Sequence, residues 1–366
     1  MRREDKQDYN LPAMNSLRVR TTMWWVCLVI LCVPSATVAQ TQDAATRDPA
    51  IRQWLDVQAV QAGLRYRWNR NSAGVETADG VQWHGLTRGR LLLAPEGRVT
   101  LTAMASAGPS FVASWNDTGI GSADFVGRFA LRHLFLTVAP SRAVEVQVGG
   151  LAPNRGEVSE NLSYDMDGYL VGQRLTLRPA TGRVTQVSGT IGHLGDVLQP
   201  NVFRRFDDLF DYNYGQLLVG LRLHTRVSAS VDYTWEDGRH IVREAVVVRP
   251  SADVPVVTGL RVEAYQRVDP GGHGLHAAAD LRIGRLSVTT GLMSVDRRYV
   301  PTINGDRYGV GTRWYSIGTL PVTGDVTLTW YHTRAFRNTF PVPVHHRFDL
   351  IMVVNPTARL KRAGIF

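Results

Sequence analysis

Arginine recurs at spacings of two and four: Arg65 and Arg67, Arg88 and Arg90, Arg128 and Arg132, Arg174 and Arg178, with Arg222, Arg243, Arg261, Arg282 and Arg313 placed singly. Residues two or four apart share one face of an extended strand, so these guanidinium groups line up along strands. Fewer carboxylates fall on the same parity: Glu145, Asp232, Glu236, Glu263, Asp280 and Asp349. The chemistry within reach is electrostatic. Some arginines must pair with acids across neighbouring strands, because opposite charges stabilise a ladder and like charges destabilise it. The excess leaves a positive field that gathers anions and turns cations away. Covalent catalysis has no comparable support, since no G-x-S-x-G, H-E-x-x-H or nucleotide-binding loop occurs. His345 and His346 are adjacent in a loop segment. The acidic clusters Asp165 with Asp167, and Asp207, Asp208 and Asp211, offer oxygen ligands without the spacing of a calcium loop. We therefore expect no enzyme activity, no cofactor, no metal and no nucleic-acid partner.

The elements that would carry these arginines have a period of two. In GQLLVGLRLHT, Leu217, Val219, Leu221 and Leu223 share one face, and Gln216, Gly220, Arg222 and His224 the other. VSASVDYTWE sets Val227, Ala229, Val231, Tyr233 and Trp235 against Ser228, Ser230, Asp232, Thr234 and Glu236. GLHAAADLRI sets Leu275, Ala277, Ala279, Leu281 and Ile283 against His276, Asp280 and Arg282. About sixteen such segments can be marked. Their connections alternate. Residues 69–80, 106–123, 150–168 and 194–211 read as long loops, whereas PEGR, APSRA, PATGR and the link at Arg226 read as tight turns; short links near Asp237 and Gly271 interrupt the long series. This is the pattern of a closed antiparallel transmembrane β-barrel, with short periplasmic turns and longer external loops. A β-sandwich also has regular strands, but its strands run about five or six residues, against the nine to eleven that cross a bilayer at a tilt. Tyr66, Trp68, Trp83, Phe129, Phe135, Tyr233, Trp235, Trp314 and Trp330 fall on the apolar parity, where interfacial girdles want them.

Composition agrees. The 366 residues are 44% hydrophobic and 20% charged, with a formal net charge of +9 and no run of about twenty apolar residues in the body. The one continuous apolar stretch is Met23 to Val33, after Arg18 and Arg20 and before the small residues that end at Ala39. It reads as a secretory signal peptide over 1–39, with Met14 the more natural start. Residues 40–53 then form a periplasmic lead-in and 54–366 the barrel. Both cysteines, Cys27 and Cys32, lie in the leader, which excludes a disulfide framework and thiolate metal sites from the mature chain.

Segments such as WHGLTRGRLLLAPEGRVTL and VEVQVGGLAPNRG resemble the strand-turn-strand units of Gram-negative general and phosphate-selective porins, and more loosely of alginate-export barrels. The terminal Phe366 matches the aromatic residue that the barrel-assembly machinery reads in such families. ARLKRAGIF alternates poorly, so either the final strand extends irregularly or a short tail follows RFDLIMVV. The resemblance implies an outer-membrane porin among lipid and lipopolysaccharide, assembled as a homotrimer. Phosphate specificity is not carried over, because Lys6 and Lys361 are the only lysines.

The expected function is a water-filled channel for passive diffusion of small hydrophilic solutes, with an anion preference as the hypothesis raised by its arginines. At sixteen strands a barrel encloses an aqueous lumen. The candidate lining is Arg65, Arg67, Arg88, Arg90, Arg128, Arg132, Arg174, Arg178, Arg222, Arg261, Arg282, Arg313, Asp232, Glu263 and Asp280. An inward-folded loop, 150–168 or 194–211, is expected to narrow it. The alternatives are an export conduit for an anionic polysaccharide, an outer-membrane hydrolase, or a structural barrel with a plugged interior.

Overall fold

A strand with one apolar and one polar face buries nothing alone; sixteen of them can bury the polar faces inward by closing on themselves. The computed structural model shows that solution. It describes residues 54–108, 129–159, 170–195, 201–236, 238–251, 254, 256–268, 271–296, 298, 311–337 and 345–366. The expected leader, lead-in and Met14 start lie outside these residues.

The first eight strands are β1 (Leu55–Arg70), β2 (Glu76–Leu92), β3 (Val99–Ala107), β4 (Phe129–Ser141), β5 (Val144–Leu151), β6 (Leu170–Leu177), β7 (Val184–Leu194) and β8 (Tyr214–His224). The second eight are β9 (Val227–Glu236), β10 (Arg239–Val248), β11 (Val257–Arg267), β12 (Gly272–Ile283), β13 (Leu286–Val295), β14 (Gly311–Pro321), β15 (Val326–Arg337) and β16 (His346–Val354). Each pairs antiparallel with its sequence neighbours, and β1 pairs with β16 through Leu64 opposite Met352 and Arg67 opposite Asp349. The ring is closed, so no strand offers an open edge.

Burial runs opposite to that of a water-soluble sandwich. Leu217, Val262, Leu275 and Leu292 are more than half exposed, while Asp232, Thr234 and Glu236 are buried. The polar face therefore points inward and the apolar face outward, as a lipid-spanning barrel requires. Among the described residues no helix is long and apolar enough to cross a membrane.

Several expectations need correction. Residues 69–80 are not a long loop: β1 and β2 extend through them to Arg70 opposite Glu76, leaving a tight link in which Asn71 Oδ1 accepts from the Ala73 and Val75 amides at 2.9 and 3.0 Å. Polar residues there belong to strand ends, which reach past the apolar belt. Phe135 is not outward. A bulge at Arg132, between the pairs Ala105 with Leu131 and Met104 with His133, reverses the parity of β4. Phe135 thereby joins Leu151, Leu170 and Tyr214 in an inward apolar cluster. At the C-terminus a short tail follows the last strand: α1 (Thr357–Arg362) docks on β1, with Val60 N–H donating to Thr357 Oγ1 at 2.7 Å and Lys361 Nζ 3.0 Å from Asp56. That tail satisfies the part of β1 that outruns β16. Phe366 consequently sits beyond the strands.

On the outer face, Gly318 has a structural reason. A Cβ there would come within 2.0 Å of the Trp330 ring, which lies flat across the glycine and fills the gap.

Candidate channel interior

The inner wall is built from alternate residues of all sixteen strands, and the named arginines occupy distinct zones of it. Arg65 and Arg67 are fully buried on β1. Arg65 donates to Gln82 Oε1 at 2.5 and 3.2 Å; Arg67 and Arg347 converge on Asp349, at 3.0 and 2.6 Å. Arg243 holds Asp232 at 2.8 Å and donates to Thr234 at 2.5 Å. Arg174 spreads over Thr190, Gln147 and the Ala152 carbonyl, at 3.0, 3.3 and 2.6 Å. Arg313 and Arg132 are buried, Arg132 at its bulge, and Arg88 shares the inward face of β2 with Arg90. Arg90 pairs with Asp56 at 3.1 Å and Arg178 with Glu145 at 3.3 Å. Arg178, Arg222 and Arg282 are exposed at the turn end, away from the rest. Arg128 lies outside the described residues.

The expected pairing of arginines with acids is thus seen at Asp349, Asp232 and Glu145, and the structure adds Asp56, which the sequence reading did not name. Sequence reasoning missed Arg347, whose signal was available: it lies two residues before Asp349, on the same parity.

One of the two candidate loops enters the barrel. After β5 the segment 152–159 runs along the inner surface as a strap, crossing β6, β8 and β9 to reach β11. Arg174 donates to Ala152 O and Gln216 Nε2 to Asn154 O at 2.7 Å; the Glu157 amide then donates to Ser230 Oγ at 2.8 Å. At the far end Glu263 accepts both the Ser159 amide, at 2.7 Å, and the Ser159 hydroxyl, at 3.2 Å. The strap passes Ser230 at Gly156, whose φ of +58° and lack of a Cβ both matter, since a Cβ would fall 2.7 Å from Ser230 and 2.9 Å from Leu218. Charge-assisted bonds to a carboxylate are among the stronger polar contacts, so Glu263 is the main anchor. Behind it, His276 Nδ1 lies 3.3 Å from Glu263 and His276 Nε2 is 2.7 Å from the Tyr315 hydroxyl.

The described part of the other candidate, 201–211, does not follow it inward. Its Val202–Asp208 stretch forms a 3-10 helix held over the outward face: outward-pointing Gln173 donates to Leu209 O at 3.1 Å and accepts from the Tyr212 hydroxyl at 3.1 Å. Asp208 and Asp211 face His193, at 3.9 and 3.6 Å. Asp165 and Asp167 are outside the described residues. Among those described, no three His, Cys, Asp or Glu side chains converge as a metal site. The adjacent histidines have separate surroundings: His346 packs on Trp68 and His332 outside the wall, while burial first, and then Arg313 and Arg334, hold His345 below the ordinary imidazole range.

No protein-family model matches the chain, and no curated protein sequence does. Solved structures do. A double mutant of the Rh. blastica porin aligns over 82% of this chain and 99% of its own, with a TM-score of 0.50 and 11% sequence identity. Another double mutant of that porin covers the same shares at 11% identity with a TM-score of 0.51. A structure described under the asymmetric conductivity of engineered proteins covers 82% of this chain and 100% of its own, at 11% identity and a TM-score of 0.50. At that identity the likeness establishes architecture, and with the closed ring of sixteen antiparallel strands it makes this chain a porin-type β-barrel.

Proposed function

We propose that the protein is an outer-membrane porin: a water-filled channel for passive diffusion of small hydrophilic solutes, with a preference for anions. One observation supports this above the others: a closed ring of strands carries charged residues on its inside and large apolar residues on its outside. Such a wall is stable only with water or polar protein within and lipid around it. Sixteen strands enclose more volume than wall side chains alone can fill. The strap narrows that volume, and the strand ends joined by the longer connections lie together at one end, which we assign to the external side. The arginine-rich inner wall supports the anion preference, since among the described residues inward arginines outnumber the acids that offset them.

The same reading covers assembly and place. The leader over 1–39 directs export, the barrel-assembly machinery recognises the C-terminal region that ends in Phe366, lipopolysaccharide surrounds the outer leaflet, and the working unit is a homotrimer. Reconstitution into planar bilayers tests the proposal. Stable conductance steps, with a reversal potential of anion sign in a salt gradient, support it. Silent insertion contradicts the pore, and a cation-signed potential contradicts the preference.

A further inference from the structure

Beneath the strap lies a cavity of about 390 Å³ between the strap and the wall of β11–β14. That volume is within the range of small-molecule sites, about 300–1,000 Å³, but Val158, Tyr315 and Ile317 supply only part of the lining and charged and polar groups the rest. Arg155 and Glu157 come from the strap; Arg261, Asp280, Thr289 and Tyr315 come from four successive strands. Each side thus contributes one guanidinium and one carboxylate. Asp280 is fixed in place by Thr289, whose hydroxyl donates to its Oδ1 at 2.6 Å. Among the described residues the nearest acid to Arg261 is Glu263 at 3.8 Å, a contact too long for a hydrogen bond, and Glu263 is already committed to Ser159. Glu157 leans toward Arg249, also at 3.8 Å.

A simple anion entering this chamber meets two carboxylates, and a simple cation meets two guanidiniums. A neutral solute can hydrogen-bond to these ions but forms an ion pair with none of them. A solute with both charges a few bonds apart satisfies both kinds of group. We propose that the cavity is a transit site for a small zwitterion of the α-amino-acid class, its carboxylate directed to Arg261 and Arg155 and its ammonium to Asp280. The inference rests on the pore reading and gives that pore a preferred solute class. It also separates two properties: the inner wall as a whole favours anions, while this chamber favours paired charges.

The test uses the full chain in proteoliposomes and three solutes of similar size that cross bare bilayers slowly: L-glutamine, D-ribose and pyroglutamate, the last keeping the carboxylate but lacking the ammonium. L-Glutamine is expected to enter about fivefold faster than D-ribose and faster than pyroglutamate. In Asp280→Asn and, separately, in Arg261→Gln, the glutamine-to-ribose ratio falls toward one. Because each preparation reports its own ribose flux, a misfolded variant is recognised and a ratio is read only from a conducting one. A native ratio near one, pyroglutamate entering as fast as glutamine, or a ratio that survives both substitutions overturns the inference while leaving the pore intact. Absence of ribose entry in the native protein overturns the pore reading, and this inference with it.

Discussion

At the scale of single residues, parity decides the effect of a charge. Leu217 is 53% exposed on the lipid-facing side of β8, and its neighbour Gln216 faces inward to the strap. An arginine facing hydrocarbon at the midplane costs roughly 2 to 4 kcal/mol in a transmembrane barrel. Leu217→Arg is therefore expected to lower the yield of the compact, heat-modifiable barrel on gels, whereas Gln216→Ser assembles normally. Arg222 would be a poor probe of the same idea because it sits exposed at the turn end, where either orientation meets water. The Arg243 and Asp232 pair behaves differently. Both groups are buried, so removing one strands the other charge, at about 3 to 5 kcal/mol. Asp232→Ala should lose that much in urea unfolding from lipid vesicles. Adding Arg243→Met should recover most of it; a double variant no better than the single would show that the pair is not the source.

Among elements, the strap is held differently from the strands. It is stitched to the wall mainly through its own backbone, at Ala152 O, Asn154 O and the amides of Glu157 and Ser159. Side-chain patterns do not encode backbone contacts, so the sequence left two loops as equal candidates for the constriction. The strands were far more legible, because alternation is written directly into residues such as Leu217 to Leu223. Alternation failed where the backbone departs from it, at the Arg132 bulge that turned Phe135 inward, and at the rim of β1 and β2, where polar strand ends look like loop. Glu263 carries the test of this scale. Glu263→Ala frees Ser159 and is expected to raise single-channel conductance and open-channel noise; conductance and noise equal to the native protein would mean that the strap is held elsewhere.

For the whole molecule, closure turns sixteen marginal strands into a wall with an apolar outside and a polar inside. The arginines that drew attention first are largely wall fixtures: Arg67, Arg90, Arg174 and Arg243 each hold a neighbour. Because Cys27 and Cys32 both precede the barrel, its described strands contain no cysteine and suit a scan with introduced thiols. The most direct measurement places single cysteines at positions 277 to 280 of β12 and follows bilayer conductance during exposure to a charged, membrane-impermeant thiol reagent. Modification at 278 and 280 should change the current, while 277 and 279 remain silent. Equal responses at odd and even positions, or no current to modify, would contradict the account.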